Sequence, residues 1–167
     1  SPSGGGKTTV ARRLQRRMPA LTRSISVTTR PPRQGERNGR DYWFVSPTRF
    51  DALRRSKQLL EWAKVHDAYY GTPNPPIAAA LARGRDVLLN IDVQGARQAR
   101  RLLGARAVLI FLLPPSIDVL RRRLQHRRTE SAAAIERRIR AAKRELACAR
   151  WYDYAIVNDR LSDTVQQ

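Results

Sequence analysis

The first eight residues, Ser-Pro-Ser-Gly-Gly-Gly-Lys-Thr, limit the possible folds of this chain most, because they follow the pattern of a phosphate-binding P-loop. Consecutive glycines let the backbone turn sharply and bring its N–H groups close to phosphate oxygens. A helix that starts after the loop directs its positive end at the same anion. Lysine can reach the β- and γ-phosphates of a nucleoside triphosphate, and the threonine hydroxyl can ligate Mg²⁺. The motif predicts an ATP-type nucleotide site at Ser3, Gly4, Gly5, Gly6, Lys7, Thr8 and Thr9.

Two features qualify this prediction. Ser1 stands where the signature has its first glycine, so a glycine-rich terminal linker remains the alternative for the loop taken alone. A P-loop also normally follows a buried β-strand, whereas this sequence starts at the loop itself. We therefore expect the first strand of the sheet to be missing from the sequence.

Downstream of the loop, the hydrophobic periodicity alternates between helical and extended segments. Val10, Leu14 and Met18 lie four residues apart and predict a helix over residues 8–18 with one buried face. Further strands are predicted at 86–92, 107–113 and 154–157, and further helices up to Gly84, at 94–103, from Ser116 and at 132–150, before a short tail. This order predicts an α/β fold, a P-loop NTPase-type parallel sheet flanked by helices.

Residues 24–75 interrupt this alternation with a β-rich segment. Ser24 to Thr29 alternates like a strand, Asn38-Gly39 predicts a turn, and residues 41–45 are aromatic and strand-like. Ser46-Pro47 then supplies an N-cap and a first-turn proline for a helix. We expect a single domain, with a core of residues 1–23, 76–126 and 141–167 and a small insertion at 24–75.

The composition is strongly basic, with 33 Lys and Arg residues against 14 Asp and Glu and a net charge of +19. Such a balance raises nucleic-acid binding as a hypothesis. The arginines are scattered through predicted helices without interleaved aromatic residues, so we expect solvated helix faces and no specific nucleic acid. No apolar run approaches the roughly 18 residues of a membrane span. The single cysteine, Cys148, cannot form an internal disulfide and favours a cytoplasmic location.

Several segments, taken in order, resemble one family. After the P-loop come Ser-Val-Thr-Thr-Arg-Pro-Pro-Arg at 26–33, Gly-Glu-Arg-Asn-Gly-Arg-Asp-Tyr at 35–42, Glu-Trp-Ala at 61–63, Tyr-Tyr-Gly-Thr at 69–72 and Asp-Val-Gln-Gly at 92–95. Together they closely resemble guanylate kinase over essentially the whole chain. The resemblance implies a Mg²⁺-dependent enzyme that transfers the γ-phosphoryl group of ATP to GMP, giving ADP and GDP.

The resemblance also implies a GMP site within the insertion. The residues that it assigns to GMP are Ser26, Arg30, Arg33, Tyr42, Glu61, Tyr70, Thr72 and Asp92. The two arginines suit a forked grip on the GMP phosphate, aided by the tyrosine hydroxyls. A carboxylate suits the guanine edge, because N1–H and N2–H₂ of guanine are both donors. Taken singly, Tyr42 also fits a cross-strand aromatic residue, and Glu61 an exposed charge at a helix end.

Catalysis in this family relies on cations. Lys7 would hold the transferring phosphoryl group, and Mg²⁺ would bridge the β- and γ-phosphates through Thr8. Arg127 and Arg138 correspond to arginines of a mobile lid at residues 127–140. Asn158 is assigned to the ATP site, and Arg123 is expected to be solvated.

Two departures affect these expectations. Arg128 replaces a lid glycine, so the lid is expected to seat differently, and Asn90 replaces an aspartate, which puts metal affinity in doubt. The alternative is a catalytically impaired guanylate-kinase-like module that binds peptides. Such modules typically lose the P-loop and phosphate-gripping residues, which are present here. The sequence leaves monomer and homo-oligomer open.

Overall fold

The computed structural model describes residues 1–2, 4–65, 67–126 and 131–167. Its helices are α1 (Lys7–Arg17), α2 (Pro47–Arg55), α3 (Asn74–Ala82), α4 (Val93–Leu103), α5 (Ile117–Gln125), α6 (Ala132–Leu146) and α7 (Leu161–Gln166). Its strands are β1 (Thr22–Arg23), β2 (Val27–Thr28), β3 (Trp43–Phe44), β4 (Leu59–Val65), β5 (Ala68–Pro73), β6 (Val87–Leu88), β7 (Ile110–Leu113) and β8 (Tyr154–Val157). The chain forms two compact units, Ser1–Leu14 with Ala105–Gln167, and Gln15–Gly104.

The first unit places a hydrophobic core beneath the glycine-rich loop. Strands β7 and β8 pair in parallel, and helices α5 and α6 pack on each other. Their shared buried cluster consists of Leu120, Leu124, Ile135, Ile139 and Ala142. Gly4 lies on this cluster, since a Cβ there would approach the side chains of Leu120 and Leu124 to 3.0 Å. The loop therefore rests on α5.

The second unit contains two sheets. Strands β1 and β6 form a parallel pair, and a four-stranded sheet has the order β3-β2-β5-β4. Strands β4 and β5 are antiparallel, with Glu61 opposite Thr72. Helix α4 packs against β4. This arrangement brings the first turn of α4 to the strand that carries Glu61.

Parallel strand pairs and flanking helices confirm the predicted α/β class. The helix predicted after the loop is present as α1, and β8 covers the predicted residues. Ser46 and Ser116 both act as N-caps, because their Oγ atoms accept from Arg49 N and Val119 N at 3.1 Å. These local signals therefore set the helix starts.

The predicted strands in the second unit are too long. Of residues 24–29 only Val27–Thr28 form β2, and of residues 86–92 only Val87–Leu88 form β6. The reason is a change of partner, since Ser24 N donates to Leu88 O, whereas Val27 pairs with Gly71. The chain thus leaves one sheet and enters the other between residues 24 and 27.

Three predictions in the helical parts are also wrong. Met18 lies beyond the end of α1 and is 51% exposed, so it does not extend the buried face. Helix α6 ends at Leu146 and continues as a 3₁₀ helix, Ala147–Trp151. The predicted tail contains α7, in which Thr164 is buried.

The predicted insertion at 24–75 falls within the second unit, and its separation from a core and a lid remains a prediction. Across the four described stretches of chain, no helix has both the length and the hydropathy needed to cross a bilayer.

Candidate active site

The glycine-rich loop closes around the side chain of Lys7. Gly5 N donates to Pro2 O at 2.9 Å, which tightens the turn. The ammonium of Lys7 donates to Ser1 O at 2.7 Å and to Pro2 O at 3.3 Å. It also lies 3.3 Å from the Ser1 hydroxyl, so the serine in the place of a glycine contributes an acceptor. The loop is thus a candidate anion cradle, with the Lys7 ammonium fixed on its rim.

Gly6 is required by both its backbone and its surroundings. Its φ of +90° lies in the left-handed region that favours glycine. A Cβ at Gly6 would stand 2.2 Å from the side-chain nitrogen of Asn158. Asn158 therefore contacts Gly6 directly, although 152 positions separate the two residues along the sequence.

A cavity of about 350 Å³ opens beside the loop. Of the residues predicted for ATP, it brings together Gly4, Gly6, Thr9 and Asn158. Its other lining residues, which the sequence did not indicate, are Arg123, His126, Asp159 and Leu161. A space of this size next to an anion cradle suits part of a nucleotide.

The expectation that Arg123 is solvated is wrong. Its Nη2 donates to Asn158 O at 2.9 Å, and its Nη1 is buried without a hydrogen-bond partner among the described residues. The sequence could have indicated that Arg123 is partly buried, because positions 120 and 124 mark the buried face of α5. Position 123 flanks that face, whereas position 122 points away. Arg123 is thus a cation fixed by its bond to Asn158, and it lines the cavity.

Thr8 and Arg138, which were predicted for Mg²⁺ binding and catalysis, lie on two helices of the first unit. Thr8 is the second residue of α1, at the helix end nearest the loop. Arg138 is half-buried on α6, in the turn that also contains buried Ile139. Ser3, Arg127 and Arg128 lie outside the described residues, and their roles stay predictions.

In the second unit, Arg30 is the centre of a polar and aromatic cluster. Its Nη2 forms an ion pair with Glu36 at 2.9 Å, and its Nε donates to the Tyr70 hydroxyl at 3.2 Å. The guanidinium carbon also lies 5.6 Å from the centre of the Tyr42 ring. Burial lowers the pKa of Arg30, but the hydrogen bonds that Arg30 donates to Glu36 and Tyr70 outweigh it and leave that pKa raised. The guanidinium is therefore held charged and oriented.

Glu36 organises this cluster and was not predicted as a site residue. Besides pairing with Arg30, its Oε2 accepts from the backbone N of Arg33 at 2.8 Å. One carboxylate thereby fixes both arginine positions of the sequence motif. Burial, followed by the negative charge that Tyr70 would carry, raises the pKa of Tyr42, so its hydroxyl remains a neutral donor.

Glu61 is a buried carboxyl on β4, and the alternative of an exposed helix-end charge is wrong. It is only 5% exposed, and the Thr72 hydroxyl donates to its Oε1. Burial raises the pKa of Glu61 to about 7; the Thr72 hydrogen bond opposes this rise and the nearby charge of Asp92 adds to it. A carboxyl that titrates near neutrality in a buried position is typical of a functional site.

Asp92 and Gly95, at the start of α4, lie on the side of the Glu61 carboxyl that faces this helix. Asp92 is the N-cap of α4, with its Oδ1 accepting from Gly95 N at 2.9 Å. A Cβ at Gly95 would lie 2.2 Å from Glu61 Oε2, so only glycine leaves room for the carboxyl. Ser26 precedes β2, and the antiparallel register that pairs Val27 with Gly71 carries it toward Thr72.

Two glutamines of α4 cover the free edge of the strand that carries Glu61. Gln98 Oε1 accepts from Trp62 N at 3.2 Å, and its Nε2 donates to Trp62 O at 2.7 Å. Gln94 Nε2 donates to Lys64 O at 3.4 Å. The backbone next to Glu61 is thus fixed to α4 as well as to β5.

The oxygen ligands beside the glycine-rich loop suit a metal ion that is held mainly by the phosphates of its substrate. In the described stretches, no group of three or more His, Cys, Asp or Glu residues is arranged to hold a metal ion. Mg²⁺ retains several waters and commonly binds through few protein oxygens together with substrate phosphates. A single hydroxyl at Thr8, beside an anion cradle, fits that mode of binding.

Known proteins resemble this chain along its whole length. A family model described as guanylate kinase matches residues 1–167. The guanylate kinase of Rhodopseudomonas palustris is 48% identical over 161 residues, covering 96% of this chain and 73% of that protein. The guanylate kinase of Wolbachia pipientis is 45% identical over 167 residues, covering 100% and 83% of the two chains. A crystal structure of guanylate kinase from Anaplasma phagocytophilum matches with a TM-score of 0.80 and 33% identity, over 95% of this chain and 75% of that one. A match of this extent, on a chain with this loop and these two clusters, shows that the chain belongs to the guanylate kinase family.

Proposed function

We propose that this chain transfers the γ-phosphoryl group of ATP to GMP. An oxygen of the GMP phosphate forms the new bond to the γ-phosphorus, the bond from that phosphorus to the β–γ bridging oxygen breaks, and ADP and GDP result. The observation that carries the proposal is the buried pair of Glu61 and Thr72, whose chemistry matches the edge of guanine.

The buried carboxyl gives selectivity for the acceptor base. Ionised Glu61 would accept from N1–H and N2–H₂ of guanine, while the Thr72 hydroxyl and the polar groups of Ser26 and Asp92 complete the contacts. Adenine lacks this pair of donors and would leave the buried carboxylate with the Thr72 hydroxyl but without a donor from the base. Sites built on such hydrogen bonds reject the unmatched ligand by roughly 10⁴-fold.

The cluster around Arg30 would hold the acceptor phosphate. Arg30 and Arg33 would supply forked donors, and the hydroxyls of Tyr42 and Tyr70 would donate to the remaining oxygens. Glu36 already keeps the guanidinium of Arg30 in place, so little side-chain entropy is lost when the phosphate binds. This positioning is the main contribution that the second unit makes to the reaction.

The loop of the first unit would hold the triphosphate. Lys7 sits on the rim of the cradle and would contact the β- and γ-phosphates, and Arg123, which lines the cavity, would place its positive charge beside ATP. Arg127 and Arg138 would neutralise charge that develops on the transferred group, an effect worth about 10³-fold or more in rate for a single arginine.

Mg²⁺, when bound through Thr8 and the phosphates, would supply further neutralisation of that charge. The replacement of an aspartate by Asn90 is expected to weaken its binding. We also infer a cytoplasmic location, which the single cysteine supports. The small-molecule partners are ATP and GMP.

A coupled ADP-release assay with ATP and Mg²⁺ tests the function, with GMP, AMP, UMP and CMP offered in turn. Turnover with GMP alone is expected. Folded protein that turns over no acceptor would refute the enzyme assignment and favour a non-catalytic binding module.

A further inference from the structure

We propose that Thr164 is a positioning residue that braces the P-loop through the side chain of Asn158. The inference rests on the proposed function in one respect, that the loop binds ATP. The starting observation is a chain of two side-chain hydrogen bonds that runs from α7 to the loop.

Both members of this chain are buried. Thr164 is 4% exposed and Asn158 is 6% exposed. The Thr164 hydroxyl lies 3.0 Å from Asn158 Oδ1, and Asn158 Nδ2 donates to Gly5 O at 2.7 Å. A helix at one end of the sequence therefore reaches a backbone carbonyl of the loop at the other end.

The chemistry of the groups fixes the direction of each bond. Gly5 O is a carbonyl and can only accept, so the amide must turn its nitrogen toward the loop. Asn158 Oδ1 then faces Thr164, whose hydroxyl lies within donating distance. The hydroxyl has a second acceptor within reach, Arg160 O at 2.9 Å, as is common for threonine in helices. The amide orientation thus depends on both neighbours.

The backbone of Asn158 is anchored independently of Thr164. Asn158 N donates to Leu113 O at 2.8 Å at the end of β7, and Asn158 O accepts from Arg123. Loss of the Thr164 hydroxyl therefore leaves the main chain in place and frees only the amide to tilt. That amide stands against Gly6 and lines the cavity, so the tilt alters the cradle for the triphosphate.

The test compares Thr164→Val, which keeps the shape and removes the hydroxyl, with Thr164→Ser, which retains the hydroxyl. A buried acceptor that loses its donor costs enough to weaken a dependent site by about tenfold. We expect KM for ATP to rise about tenfold in Thr164→Val, KM for GMP to change less than about twofold, and Thr164→Ser to stay near the wild type. Ser162→Ala is the matched control, because Ser162 is an exposed hydroxyl on the same helix.

A double-mutant cycle separates bracing from a general structural role. If Thr164 acts through Asn158, adding Thr164→Val to Asn158→Ala changes KM for ATP by less than about twofold. Effects that multiply, an unchanged KM for ATP in Thr164→Val, or equal rises in KM for both substrates would overturn the proposal. If Thr164→Val does not fold, Thr164→Ala takes its place, with the same expected results.

Titration with a fluorescent N-methylanthraniloyl ATP measures the affinity of the loop for the nucleotide without turnover. If wild-type protein binds this analogue but does not phosphorylate GMP, the proposed function is contradicted. The role of Thr164 can then still be tested by comparing the affinities of wild type and Thr164→Val for the analogue. Equal affinity of wild type and Thr164→Val for the analogue would refute the brace alone.

Discussion

Replacing Glu61 by glutamine should stabilise the nucleotide-free protein at pH 8 and leave its stability much closer to the wild type at pH 5. Glutamine has nearly the shape of a protonated carboxyl, and it likewise offers a carbonyl oxygen as acceptor and a neutral donor group. It can therefore keep the hydrogen bond from Thr72 without placing a charge in the buried site. The variant isolates the free-energy cost of ionising Glu61.

The magnitude follows from the pKa of Glu61, which burial raises from 4.5 to about 7. Since the folded protein holds this proton more tightly than the unfolded chain, the carboxyl favours folding fully below pH 4.5. That contribution is lost as the pH rises through 7. With one pKa unit worth 1.36 kcal/mol, linkage gives a loss of about 2.5 kcal/mol between pH 5 and pH 8.

The assay is urea unfolding of both proteins at pH 5, 6, 7 and 8 without nucleotide. The difference in free energy of unfolding between them should grow by about 2.5 kcal/mol in favour of Glu61→Gln, because other titrating groups cancel. Glu136→Gln controls for the loss of a negative charge, since Glu136 is 45% exposed and pairs with Arg121; the difference in free energy of unfolding should not grow in favour of this variant as the pH rises. A difference for Glu61→Gln that does not change with pH would refute the reasoning.

Three further variants test the site. Arg123→Ala should raise KM for ATP by about 10- to 100-fold, because it removes a charged donor at the cavity; the exposed Arg122→Ala is the control, and equal kinetics of the two would contradict the assignment. Gly95→Ala should abolish GMP turnover in the coupled assay while the affinity for fluorescent ATP is kept, because the new Cβ would displace the Glu61 carboxyl; normal turnover would show that the carboxyl is not needed where it stands. Glu36→Gln should raise KM for GMP about tenfold through loss of the ion pair that orients the phosphate cluster, and an unchanged KM would show that this pairing does not matter.

The sequence predicted those features that depend on local chemistry. The helix after the glycine-rich loop, the N-caps at Ser46 and Ser116, and β8 follow from residue types at fixed spacing, and the structure contains them. The four-residue spacing of Leu120 and Leu124 likewise matches the buried face of α5.

The rest depends on long-range packing that no local pattern encodes. Glu61 is buried only because β5 pairs with its strand and α4 approaches at Gly95. Glu36 shows no sign in the sequence that it will anchor two arginines. Thr164 lies in a polar segment that was predicted to be a tail, and its hydroxyl is buried beside Asn158.

The two glutamines of α4 have a consequence for the solubility of the folded protein. Strand β4 ends the four-stranded sheet, and an uncovered edge of this kind is where a second chain can add a strand. Four residues of an α-helix rise about 6 Å along its axis, and two residues of a strand span about 6.6 Å. Gln94 and Gln98 therefore match the spacing of Lys64 and Trp62, and their side-chain amides take the positions that a neighbouring backbone would use. The helix that approaches Glu61 thus also acts as a surrogate strand, and an edge covered in this way is protected from the addition of a strand by another copy.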